Sequence, residues 1–122
     1  MVRTAAVRRW SLVICSLLLS GCLVPSEPAK QAEEISSISA EGALLAHEVG
    51  ERDVTGTFAR VHAEALRTKL SQLEPKVQVD TLARLLRDAD AEFAALEDES
   101  GGAGEVERGL ERIAKQAHEL AK

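Results

Sequence analysis

The sequence predicts an all-α protein, a four-helix up-down bundle, on three observations. Beyond residue 25, alanine, leucine, glutamate and arginine dominate, and these residues lose little side-chain freedom in a helix. Apolar residues recur there at alternating steps of three and four, which keeps them on one helical face. Four such segments are separated by short connections, and short connections favour antiparallel neighbours packed at a shallow angle.

The first segment, roughly 27 to 49, places Ile35, Ile38, Gly42, Leu45 and Val49 in one stripe, with Ser26 and Pro28 as start signals and Gly50 as a stop. The second, roughly 55 to 73, puts Phe58, Ala59, His62, Leu66, Leu70 and Leu73 on one face and ends at Pro75. The third, roughly 78 to 97, carries Leu82, Leu86, Ala89, Phe93 and Leu96. The fourth, roughly 105 to 121, carries Val106, Leu110, Ile113, Ala117 and Leu120. Glu105 and Glu107 suit its positive N-terminal dipole, and Glu111 with Lys115 has the spacing of an i,i+4 ion pair. Gly101-Gly102-Ala103-Gly104 is the clearest break in the chain. The first helix is the weakest member. Its stripe is narrow and interrupted by Gly42, its polar face is acidic and serine-rich, and Leu44 points away. A looser first helix beside three stable ones, or its pairing with another chain in a homo-oligomer, is the variant expectation.

Ahead of the helices, residues 1 to 21 contain Arg3, Arg8 and Arg9, no acid, and an apolar run from Trp10 to Leu19. That is a charged n-region followed by a short h-region. A membrane-spanning helix needs roughly 20 consecutive apolar residues, and Pro25, Ser26 and Glu27 follow too soon. The run closes on Leu19-Ser20-Gly21-Cys22. Small residues before a cysteine suit a peptidase that grips extended backbone, and the thiol can form a thioether to a diacylglyceryl group. The tetrad resembles the lipobox of bacterial lipoproteins. The resemblance covers only the first 22 or so residues. It implies cleavage between Gly21 and Cys22, lipidation of Cys22, and a membrane contact made through that lipid. Leu23 follows, not the aspartate associated with inner-membrane retention, so the implied address in a Gram-negative host is the outer membrane, facing the periplasm. The organisation expected is a signal peptide over 1–21, a lipidated tether over 22–29 with Pro25 and Pro28 discouraging regular structure, and a bundle over 30–122.

Removing residues 1 to 21 leaves 122 − 21 = 101 residues, enough for one domain with one core. Its charge becomes 15 − 3 = 12 basic against 20 acidic residues, a net of −8, which disfavours nucleic acid and anionic headgroups. Cys15 departs with the leader and Cys22 is acylated, so no thiol remains for a disulfide or a metal. The single Trp is also lost and the sequence has no Tyr, leaving Phe58 and Phe93 as the only aromatic rings for base or sugar stacking.

Candidates for chemistry are few. His62 falls near the centre of the face made by Phe58, Leu66 and Leu73, and is expected to be buried. A core histidine is the simpler reading, and a metal or small-ligand module centred on His62 is the functional one. No Glu-x-x-His motif accompanies any histidine, which removes the signature of a carboxylate-bridged di-metal bundle. His47 and His118 fall off their stripes and are expected in solvent. Glu97-Asp98-Glu99, following Asp88, Asp90 and Glu92, reads as a solvated helix end rather than a calcium loop, because its acids do not alternate as such ligands do. No Gly-x-Ser-x-Gly elbow occurs, and the glycine run lacks the Lys-Ser/Thr ending of a phosphate loop. The expectation is a lipid-anchored, non-catalytic bundle that works through protein contacts, with no cofactor. The alternatives are the His62 module and a small envelope enzyme without a recognisable motif.

Overall fold

A computed structural model describes residues 26–99 and 101–122. Its helices are α1 (Glu27–Gly50), α2 (Gly56–Leu73), α3 (Asp80–Glu97) and α4 (Ala103–Leu120), with a short 3₁₀ turn at Glu74–Lys76 between α2 and α3. Each helix packs on the next and α4 returns to α1, closing the up-down bundle expected from the pattern. Cross-helix contacts fix the antiparallel registers. Glu33 faces His118 and His47 faces Glu107 across α1 and α4, while Gln31 reaches Lys76 and Glu41 reaches His62 across α1 and α2. Among the described residues, no helix is long and apolar enough to cross a membrane.

Local signals explain the boundaries. Ser26 caps α1, its hydroxyl accepting from the Ala29 amide at 3.4 Å, and Pro28 occupies the first turn, where a missing N–H costs nothing. The helix therefore begins inside the stretch expected to be tether. Thr55 caps α2 in the same way, accepting from the Phe58 amide at 3.2 Å. At its far end α1 stops at Gly50, as expected, but Gly50 is not the left-handed residue. The chain continues to Arg52, which adopts φ 61°. There the Asp53 amide donates to the Glu48 carbonyl at 2.9 Å and the Arg52 amide donates to the Val49 carbonyl at 3.1 Å. This pair of bonds closes a helix with one left-handed residue, a place glycine usually fills.

α1 is not the loose member. It packs more extensively on α4 than on any other helix. The reason is a second stripe beside the aliphatic one: Ala32, Ser36, Ser39, Ala43, Ala46 and Gly50, again at steps of four and three. Small side chains let two helix axes approach closely. The Ser36 hydroxyl donates to the Ala114 carbonyl of α4 at 2.9 Å, and a methyl built on Gly50 would sit 3.6 Å from the Ala103 methyl. Ser39 is wholly buried in α1, its hydroxyl without a hydrogen-bond partner among the described residues.

Gly42, expected as an interruption, is a socket. Phe93 of α3 is completely buried, and a methyl at Gly42 would overlap the Cε1 and Cζ atoms of its ring and lie 3.1 Å from Leu110 Cδ1. In the same core Ile35, Leu45, Leu66, Leu70, Leu82 and Leu110 are buried to 2 % exposure or less. All five expected stripe residues of α3 are buried. Two other stripes are corrected. α2 turns Ala59, Ala63, Leu66, Leu70 and Leu73 inward and leaves Phe58 51 % exposed, and α4 leaves Leu120 46 % exposed.

Two predictions rest on these contacts. Gly42→Ala gains about 1 kcal/mol of helix propensity but overpacks a ring that cannot swing clear, a cost near the upper end of the usual 1–3 kcal/mol range, about 3 kcal/mol. Denaturant unfolding should show a net loss, and Phe93→Leu in the same background should restore part of it. Arg52→Gly removes a left-handed L-residue penalty of about 1–2 kcal/mol, partly offset by the backbone entropy of glycine. The midpoint should rise, and an unchanged or lower midpoint would contradict the strain assigned to Arg52.

Candidate functional site

Each of the three histidines faces a glutamate on a neighbouring helix, and one partner always belongs to α1. His47 Nδ1 lies 2.8 Å from Glu107 Oε1 of α4, His118 Nδ1 lies 3.3 Å from Glu33 Oε1, and His62 Nε2 of α2 lies 3.3 Å from Glu41 Oε1. His47 and His118 are exposed, as their off-stripe positions predict. His62 is a correction. Instead of sitting at the centre of a buried face, it lies at the α1–α2 seam with its side chain 35 % exposed, and its ring meets Phe58 edge-on at 5.6 Å between centroids. The face of α2 is rotated so that Ala59 and Ala63 take the buried positions expected for Phe58 and His62.

As a metal centre, His62 has one carboxylate neighbour. Among the described residues, no group of three or more histidine, cysteine, aspartate or glutamate side chains could hold a metal ion. Two ligands fall short of the four that a closed zinc site uses. The pair can bridge two helices through one hydrogen bond, ionic when the imidazole is protonated.

The densest polar constellation is one the sequence did not announce. Arg67 of α2 donates from Nε to Asp90 Oδ1 at 2.9 Å and from Nη2 to Asp90 Oδ2 at 3.3 Å, and its Nη1 reaches Glu97 Oε2 at 2.5 Å. A planar guanidinium spans two carboxylates in this way because its donors form a fixed fork. The bonds to Asp90 and then Glu97 drive its pKa still higher. Glu97 is thereby mostly covered, with its side chain 15 % exposed, whereas Asp98 and Glu99 remain in solvent. Only the last two acids of the expected solvated cluster behave as such. The signal available beforehand was a cation flanking the Leu66–Leu70 stripe, but its partners depend on the α2–α3 register. Glu107, expected with Glu105 to serve the start of α4, lies beyond its first turn and pairs with His47 instead.

Glu92 lies over Gly109 of α4, with its carboxyl carbon 2.7 Å from where a methyl on that glycine would be. Burial pushes this carboxyl's pKa up, Arg112 pulls it down, and Asp88 and Glu105 add to the rise. The surface depressions are open to solvent. One of about 480 Å³ flanks Arg67 and Asp90, and one of about 550 Å³ runs between Leu85 on α3 and Leu120 on α4. Leu19, Ser20, Gly21 and Cys22 lie outside the described residues.

Comparison of the chain with protein-family models, with curated proteins and with solved structures returns no match.

The raised Glu92 carboxyl yields a signed prediction. Its pKa is higher in the folded than in the unfolded state, so the native protein binds more protons in the window just above the ordinary glutamate range, and stability falls as pH rises through it. The deficit persists at neutral pH. Glu92→Gln should therefore unfold at higher denaturant than the parent at pH 7. That advantage should shrink as pH is lowered towards about 4.3, the unperturbed value, and an advantage independent of pH would assign the gain to something other than this carboxyl.

Proposed function

We propose that this chain is a lipid-anchored lipoprotein of the bacterial cell envelope, whose non-catalytic helical bundle works through contacts with other proteins. In a Gram-negative host its place is the outer membrane, facing the periplasm. The observation that carries the reading is the tetrad Leu19-Ser20-Gly21-Cys22, which closes an arginine-headed apolar run directly ahead of an amphipathic bundle. Two features of the bundle support it. α1 begins at Glu27, just beyond the thiol, so an acyl group there would hold a folded domain close to a bilayer. The interior is filled by aliphatic side chains and Phe93, while Arg67 and the histidines are spent on bonds between helices.

Anchoring through Cys22 has a quantitative basis, since each buried CH₂ of an acyl chain contributes about 0.8 kcal/mol of membrane affinity. Cys22→Ser removes the acceptor thiol. The variant should accumulate as the uncleaved precursor and should take up no labelled fatty acid, as read by gel mobility and metabolic labelling. Normal maturation and labelling of Cys22→Ser would refute the assignment.

A further inference from the structure

The tether is short enough to decide which end of the bundle meets the lipid. Four residue steps separate Cys22 from Ser26, a reach of at most about 14 Å even fully extended. α2, α3 and α4 each have 18 residues, so the opposite end of the bundle lies about 27 Å further on. The antiparallel registers gather the start of α1, the α2–α3 connection and the end of α4 at the tethered end. The Gln31 side chain ties two of these together by donating to the Lys76 carbonyl at 3.0 Å.

The two ends differ in charge. The tethered end (26–30, 74–80 and 118–122) carries three lysines against four carboxylates, whereas the opposite end (48–55 and 97–107) carries one arginine against eight carboxylates. An anionic lipid surface repels the second far more strongly than the first. The outer side of α1, with Glu33, Glu34, Glu41 and Glu48 along it, disfavours a bundle lying flat.

The tethered end also presents apolar side chains. Val79 is 39 % exposed and Leu120 46 % exposed. Val79 occupies the N-cap of α3 and gives it no side-chain hydrogen bond, although serine, threonine, aspartate or asparagine there would stabilise the helix. A valine that is both exposed and wrong for its local position calls for a contact outside the bundle. Lys76 lies close to Val79 in the chain, with the amphipathic reach that lets lysine cover apolar surface while its ammonium meets phosphate; Lys122, beside Leu120, pairs with Glu119 at 2.9 Å.

We propose that the end formed by the start of α1, the 74–80 connection and the end of α4 seats on the lipid headgroups, with Val79 and Leu120 against the bilayer and the acidic end projecting away from it. The proposal rests on lipidation of Cys22. Once Cys22 is acylated the mature chain has no other cysteine, so a single introduced thiol reports one position. Lipidated protein with Gln78→Cys or Asp53→Cys, carrying a fluorophore there, would be placed in phosphatidylethanolamine–phosphatidylglycerol vesicles containing a headgroup-linked quencher. Quenching is expected at residue 78 and not at residue 53. Adding Val79→Asp should reduce quenching at residue 78 while the melting temperature stays level or rises, since aspartate is a better N-cap. Equal quenching at both positions, quenching at neither, or quenching at residue 78 that Val79→Asp leaves unchanged would overturn the seat while leaving the anchor standing. A mature chain whose mass shows no acyl group on Cys22 would overturn both.

Discussion

The close approach of α1 to α4 is the constraint on which the rest of the structure depends. Small residues meet there: Ser36 and Gly50 on one helix, Ala114 and Ala103 on the other. Small residues contribute little area each, so the seam gains by proximity, through many dispersion contacts at short range and the Ser36–Ala114 bond. That proximity settles other positions. It sets Gly42 beside Leu110 and against the Phe93 ring, and it brings His47 to Glu107 and His118 to Glu33. A wider seam would leave the Phe93 socket open on one side, and the two histidine pairs would be out of reach.

Much of the fold was legible before the structure. The helix limits agree within about two residues because Ser26, Pro28, Pro75 and the glycine run are local signals, and local signals need no tertiary information. The α3 stripe was read correctly except for Leu85, which is also buried, because it is strictly aliphatic and aromatic. Misjudgements arose where small residues do the packing. Ala59 and Ala63 have less apolar surface than Phe58 and His62, so a periodicity count weighted by hydrophobicity rotates α2 towards its larger side chains. The same weighting made the alanine and serine stripe of α1 invisible and made Gly42 look like a defect. The polar constellation was less legible still. Arg67, Asp90 and Glu97 are 23 and 30 residues apart along the chain, and only the α2–α3 register brings them together.

The distribution of charge has a use beyond solubility. With 12 cations against 20 acids over residues 22–122, a single cation can serve two carboxylates, as Arg67 does. That bridge discriminates among registers, since sliding α3 by one turn would separate the guanidinium from Asp90 or Glu97. Exposed pairs contribute little to stability, typically about 0–1 kcal/mol, so the alignment they specify is their larger contribution. Glu92 shows the opposite case, a carboxylate drawn over Gly109 by packing at some electrostatic cost.

The seam between the first and last helices also dictates when this protein can become itself. Synthesis delivers α1 first and α4 last, and the polar contacts between them span from 60 residues of sequence (His47 to Glu107) to 118 − 33 = 85 (Glu33 to His118). α2 and α3 can pair as soon as both exist, but α1 must wait with its alanine stripe and Ser36 hydroxyl unsatisfied until the whole chain has emerged. Non-local closure of this kind slows folding relative to a bundle whose strongest contacts join consecutive helices. Proteolysis near the C-terminus would reach further than its position implies, because a chain shortened within α4 loses the partner for which its first helix is shaped.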